Sequence, residues 1–335
     1  MTFLSACPYT DIYFAMIIMI TLRCSCLTLL LLLTVDALDA QRAPTPATFR
    51  TNAQMVLVPV TVTDHNGKTI EGMRAEDFNI LDDQKRQQIV SFASEDAPCS
   101  VGLVLDISGS MQNTLGAAKG VAQGFFRTAN PDDEFLLLTV STQPEATPGF
   151  TTDVAALEKT IEFTRAGGRT ALIDTVYLGL NRMREARQPR RALLILSDGM
   201  DNHSRYSNGE LRRMALEADV QIYAIIIGNP SASASTGGIP FRPGLIGKPG
   251  DQARDRQELE LLEKLSDYTG GLHFRVSSGA QANEAVIKVG KALREEYVIG
   301  YRAPDLGATG KWHQVRVKSN VPKLNVHARN GYYAP

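Results

Sequence analysis

Asp106-Ile107-Ser108-Gly109-Ser110 places a carboxylate and two hydroxyls on alternate residues of one short turn. Such oxygens are hard donors, suited to Mg²⁺, Mn²⁺ or Ca²⁺ rather than Zn²⁺. Gly109 lets the backbone curl around a small object. Taken alone, D-x-S-G-S also describes a serine that caps a helix after a strand. Two further segments supply the same chemistry. Gly167-Gly168-Arg169-Thr170-Ala171-Leu172 carries a hydroxyl on a glycine-framed loop. Leu194-Ile195-Leu196-Ser197-Asp198-Gly199 ends an apolar run on a carboxylate followed by glycine.

The elements around these residues follow from hydrophobic spacing. Residues 101–106, 135–140, 192–197 and 220–228 are short, nearly continuous apolar runs, as expected of strands buried on both faces of a parallel sheet. Between and after them, residues 114–129, 155–164, 171–187, 210–218, 258–269 and 282–296 show helical spacing. Strands alternating with helices predict an α/β domain with a doubly wound, mostly parallel sheet flanked by helices. In such a sheet ligands bind beyond the carboxyl ends of the strands, where Asp106 and Asp198 fall.

The order D-x-S-x-S, then Thr170, then Asp198 resembles the metal-ion-dependent adhesion site of von Willebrand factor type A domains, and the likeness spans roughly residues 100–295. The resemblance implies a Rossmann-like fold and a metal set of Asp106, Ser108, Ser110, Thr170 and Asp198. In that set Ser108, Ser110 and Thr170 lend hydroxyl oxygens to the cation directly or through water, while Asp106 and Asp198 supply negative charge. It further implies a divalent cation, Mg²⁺ foremost with Mn²⁺ or Ca²⁺ as alternatives, and a partner whose carboxylate fills a remaining coordination position. Asp174, one turn beyond Thr170, is a candidate for orienting the site's waters, weighed against an acidic residue favoured by the helix dipole.

The flanks of this domain read as short strands. Residues 55–63, 78–81 and 87–93 precede it, and residues 297–301, 312–318 and 324–328 follow. Each flank is too short to fold alone. The expected organisation is therefore a small β-sandwich-like domain built from residues 54–98 and 296–335, with the α/β domain of residues 99–295 inserted between them. Glu295-Glu296-Tyr297-Val298-Ile299-Gly300-Tyr301, with the turn at residues 64–67 and Glu76-Asp77-Phe78, is similar to exported bacterial proteins called VWFA-related.

Other residues carry weaker signals. Asp201 and Asn202 read as turn and capping residues, and Asp132-Asp133-Glu134 as a solvated turn at the sheet edge opposite the metal. The arginine-rich stretch 182–191 reads as a solvated helix end. Histidines 65, 203, 273, 313 and 327 stand singly, with none paired at metal spacing. Neither a nucleophile elbow nor a Walker-type loop is present, so neither a hydrolase nor an ATP site is expected. Residues 229–257, rich in Ser, Gly and Pro, read as a long loop after a parallel strand, which either borders or covers the partner surface or is an unselective insertion.

Bulk properties narrow the classes of function. The chain has 335 residues and a formal net charge of -1 from 35 basic and 36 acidic residues, which excludes the basic excess of a nucleic-acid-binding surface. Cys99 is the single cysteine beyond residue 26 and reads as a small apolar strand residue. Arg23 before an apolar run at 27–35, then small and polar residues at 36–41, predicts a leader over residues 1–40, cleaved near Ala40 and directing export to the periplasm, cell surface or medium. A retained leader is the one route to membrane attachment. The sequence thus predicts a non-enzymatic, exported binding module that captures a protein or other carboxylate-bearing ligand through a divalent cation. The alternative is a scaffold in which the metal only stabilises the domain and the β-flanks make the contacts.

Overall fold

The computed structural model describes residues 55–94, 96–228, 260–303 and 309–334. The leader predicted over residues 1–40 and the loop predicted over residues 229–257 lie outside the described residues. Among the described residues, no helix is long and apolar enough to cross a membrane.

Among the described residues, fourteen strands form three sheets: β1 (Met55–Thr63), β2 (Phe78–Asp82), β3 (Lys85–Gln87), β4 (Ile89–Ser94), β5 (Cys99–Asp106), β6 (Glu134–Val140), β7 (Glu145–Ala146), β8 (Arg190–Ser197), β9 (Gln221–Ile227), β10 (His273–Val276), β11 (Tyr297–Arg302), β12 (Trp312–Ser319), β13 (Asn325–Ala328) and β14 (Gly331–Tyr333). The helices are α1 (Leu115–Phe126), α2 (Val154–Phe163), α3 (Leu172–Arg182), α4 (Asn208–Glu217), α5 (260–269) and α6 (Gly279–Arg294).

The central sheet runs β10-β9-β8-β5-β6-β7, parallel except for the edge strand β7. Every residue of β5 and of β9 is buried, as the unbroken apolar runs predict. One face packs on α1, α2 and α6, through residues such as Phe125, Ile161 and Val289. The other packs on α3, α4 and α5, through Val176, Leu211 and Leu265. This is the doubly wound α/β arrangement expected from the sequence. The spacing of Leu172, Ile173, Val176 and Leu180 shows how it arises, since it lays one apolar stripe along α3.

The two flanks interleave as expected. One antiparallel sheet runs β13-β1-β11-β4 and the other β14-β12-β2-β3, so each draws strands from both ends of the described chain. Alternate residues Val56, Val58, Val60 and Val62 of β1 share a core with Tyr297, Ile299 and Tyr301 of β11 and with Ile80, Val315 and Tyr332 of the second sheet. The α/β domain leaves this sandwich after β4 and re-enters it at β11.

Four local expectations are corrected. The single strand expected over residues 87–93 is two strands: β3 pairs with β2 in one sheet and β4 with β11 in the other, and the chain crosses between sheets at Gln88. The short strands β7, β10 and β14 carry too few apolar residues to register as strands. Asp133 and Glu134 are buried rather than solvated. Asp133 pairs with Arg294 and accepts from the Cys99 amide, and Glu134 accepts from Ser100 Oγ at 2.6 Å and the Arg187 amide at 2.7 Å. In the 182–191 stretch, the Arg190 side chain is largely buried, with its Nε 3.7 Å from Glu296 Oε2.

Candidate metal centre

The register of the parallel sheet creates the site. Leu105 of β5 lies opposite Leu196 of β8, so the next residues, Asp106 and Ser197, emerge side by side at the carboxyl edge. Both are fully buried. Ser197 Oγ donates to Asp106 Oδ2 at 2.5 Å, and the Ser108 amide donates to Asp106 Oδ1 at 2.9 Å. Ser197 Oγ also accepts from the Gly199 amide at 2.9 Å, which turns the chain directly after Asp198. Ser108 and Ser110 face each other, with their hydroxyl oxygens 3.0 Å apart; Ser108 is buried and Ser110 exposed. Asp198 is half-buried, and its Oδ1 accepts from the Met200 amide at 3.1 Å.

Thr170 arrives on a third loop that backbone bonds lock to the other two. The Gly167 amide donates to the Ile107 carbonyl at 2.8 Å, and the Gly109 amide to the Gly168 carbonyl at 3.1 Å. Gly168 is required here. Its φ is +78°, and a Cβ on it would stand 2.7 Å from Thr142 Oγ1, the atom that accepts from the Arg169 amide. On the other side, Thr170 O accepts from the Asn202 and His203 amides at 3.0 and 2.9 Å, while the Thr170 amide donates to Asn202 Oδ1 at 3.0 Å. Helix α3 begins two residues later, and Ala171 at its cap offers no side-chain acceptor. Asp201 fills that role from the neighbouring loop, its Oδ1 accepting from the Leu172 amide at 2.8 Å and the Ile173 amide at 3.3 Å. Sequence reading takes Asp201 and Asn202 for turn and capping residues, and what it misses is that they cap and clamp the Thr170 loop.

Asp174 turns its contacts elsewhere. It is buried, and its Oδ1 accepts from the Arg205 and Tyr206 amides at 2.8 and 2.9 Å. Its Oδ2 lies 3.7 Å from Arg205 Nε. It fixes the loop leading into α4.

The electrostatics of the cluster favour a cation. Burial pushes the Asp106 carboxyl up to about 6, and the neighbouring charge of Asp198 pushes the same way, against the lowering effect of the Ser197 and Ser108 hydrogen bonds. Among the described residues, no basic side chain pairs with Asp106 or Asp198. Two adjacent carboxylates, hydroxyls on two loops and, among the described residues, no compensating ammonium or guanidinium make a donor set fitted to a hard dication. Asp106, Ser108, Ser110, Thr170 and Asp198 would hold it, and it would supply a Lewis-acidic position for an anionic oxygen.

The molecule is thus an open α/β-sheet domain with an oxygen-lined edge, carried on a β-sandwich. Residues 101–200, which contain all three motifs, match the family model of the von Willebrand factor type A domain. Among solved structures, the chain is similar to an aerotolerance-related membrane protein from Bacteroides fragilis NCTC 9343, at 16% identity and a TM-score of 0.43 over 58% of this chain and 98% of that one. It is similar to a von Willebrand factor type A protein from Catenulispora acidiphila, at 14% identity and a TM-score of 0.46 over 85% and 74% of the two chains. It is also similar to the vWF domain of the type V pili tip protein Mfa5 from Porphyromonas gingivalis, at 14% identity and a TM-score of 0.44 over 60% and 96%. No curated protein sequence matches the chain.

Proposed function

We propose that this protein is an exported, non-enzymatic binding module that captures a protein or other carboxylate-bearing ligand through a divalent cation, Mg²⁺ foremost, held by Asp106, Ser108, Ser110, Thr170 and Asp198. Domains of this family commonly bind proteins, often through a metal site. The observation that carries the reading is the convergence of three separately anchored loops on two carboxylates that no basic side chain among the described residues offsets. Two carboxylates balance the charge of a dication, but the neutral hydroxyls that complete the set are weak donors and leave it electrophilic. An anionic oxygen from a partner meets that demand, and the exposed Ser110 lies on the side from which it would enter. Export rests on the apolar run at 27–35 behind Arg23.

The test is capture of an immobilised acidic peptide library by the full chain in Mg²⁺, in EDTA, and with Asp106→Ala. Retention that needs Mg²⁺ and is lost in the variant supports the reading. Retention indifferent to both, with EDTA lowering only the melting temperature, transfers the function to the β-sandwich.

A further inference from the structure

A second cluster lies in the β-sandwich, and it stands on none of the observations above. Strand β2 ends at Asp82, and the hairpin to β3 turns through Asp83 and Gln84 at φ +46° and +67°. This left-handed pair matches the strand twist of a tight hairpin. The turn is clamped onto β12, with the Asp83 amide donating to the Gln314 carbonyl at 2.9 Å and the Gln314 amide to Asp83 Oδ1 at 3.0 Å. The clamp brings His313 of β12 against both carboxylates. Its Nδ1 lies 3.4 Å from Asp82 Oδ1 and 3.2 Å from Asp83 Oδ2. Donor atoms of all three residues fall within 4.8 Å of one another.

We infer that Asp82, Asp83 and His313 form a transition-metal site selective for a zinc-like dication. Asp82 is 4% exposed and His313 3% exposed, so both are held away from water. Asp82 Oδ2 accepts from the Tyr301 hydroxyl at 2.8 Å and the Tyr332 hydroxyl at 2.9 Å. Its other oxygen, Oδ1, is buried without a hydrogen-bond partner and faces the cluster. A buried carboxylate oxygen left so is costly unless an ion or donor meets it.

Spacing and charge suit a dication. Donors about 2.1 Å from a tetrahedral zinc stand ~3.4 Å from one another, which is the separation His313 Nδ1 keeps from each carboxylate oxygen. One N–H on Nδ1 shared between oxygens of two residues makes at best a bifurcated bond, weaker in each arm than a direct one. An imidazolium would also leave the cluster with net charge -1, whereas a dication with neutral His313 leaves it at zero. The imidazole donor favours Zn²⁺ and its neighbours over Mg²⁺ or Ca²⁺. Stacking on Tyr332, with ring centroids 5.2 Å apart, fixes the His313 ring, and the exposed Asp83 leaves the fourth position open to water. The metal would pin β2 of one flank to β12 of the other.

The experiment titrates the full chain with Co²⁺ and then Zn²⁺, beside Asp83→Asn, His313→Gln and Asp106→Ala. Asp83→Asn keeps the acceptor for the Gln314 amide and so keeps the turn. The expected result is one equivalent of Co²⁺ giving the strong visible bands of a low-symmetry, four-coordinate ion, which Zn²⁺ abolishes. Zinc affinity should fall tenfold or more in Asp83→Asn and His313→Gln, and stay unchanged in Asp106→Ala. Absence of the bands and of zinc binding in folded Asp106→Ala protein would overturn the inference. Bands that survive His313→Gln, or that vanish in folded Asp106→Ala protein alone, would place the ion elsewhere and overturn it equally.

Discussion

Ser197 Oγ donates to Asp106 Oδ2 at 2.5 Å, joining the last residues of two adjacent parallel strands, and the same oxygen accepts from the Gly199 amide. One hydroxyl therefore holds the buried carboxylate and shapes the turn that delivers Asp198. Removing it in Ser197→Ala leaves Asp106 with a buried, unmatched oxygen. A hydrogen bond to a charged group is worth about 1.5–3 kcal/mol, so urea denaturation of the metal-free protein at neutral pH should register a loss of that size. Loss of such an outer partner lowers metal affinity by roughly 10–100-fold, which calorimetry would read directly.

Gly168→Ala should damage the site more than the fold. At φ +78° an added Cβ meets Thr142 Oγ1 at 2.7 Å, so the loop must shift and the bond from the Gly109 amide to the Gly168 carbonyl weakens. A side chain forced into that conformation costs about 1–3 kcal/mol. The expected outcome is a cooperative, slightly lowered unfolding transition with a clear loss of Mg²⁺ affinity. An unchanged affinity would mean that the Gly168 loop does not position Thr170.

Asp201→Ala should act on Thr170 through the start of α3. The variant strips the acceptor from the Leu172 and Ile173 amides, and losing a helix cap costs about 0.5–2 kcal/mol. Thermal denaturation should show that cost. Metal affinity should fall with it, because the same loop clamps the Thr170 backbone through Asn202.

Glu296 gives the stability curve a pH signature. It is fully buried beside Arg190 and accepts from Gln221 Nε2 at 2.5 Å, and burial pushes its carboxyl up to about 7. The folded state therefore holds a proton that the unfolded chain, titrating near 4.5, has released. Stability contributed by this group is present below pH 4.5 and lost as pH rises towards 7. Glu296→Gln should remove that slope, so the gap between the two stability curves changes across pH 4.5–7 and is flat outside it. Parallel curves would show that Glu296 titrates alike in both states.

The legible parts of this molecule are those written in short windows. Val101–Asp106 and the run ending in Ser197-Asp198-Gly199 announce buried parallel strands whose ends carry oxygen donors, and the alternation of Val56, Val58, Val60 and Val62 announces a sandwich strand. What was illegible depends on partners far along the chain. Asp133 and Glu134 look like a solvated acidic turn until Arg294, 161 residues from Asp133, and Arg187, 53 residues from Glu134, are brought to them. His313 looks solitary until the interleaving of the flanks sets it against Asp82 and Asp83. Asp201 reads as a turn residue because the helix it caps begins 29 residues earlier.

The most direct test of the central claim is calorimetric titration of the metal-free full chain with Mg²⁺, Mn²⁺ and Ca²⁺, beside Asp106→Ala and Asp198→Ala. Saturable binding of Mg²⁺ is expected in the parent, abolished in both variants while circular dichroism shows them folded. A folded parent that takes up no Mg²⁺, Mn²⁺ or Ca²⁺, or variants that bind as the parent does, would contradict it.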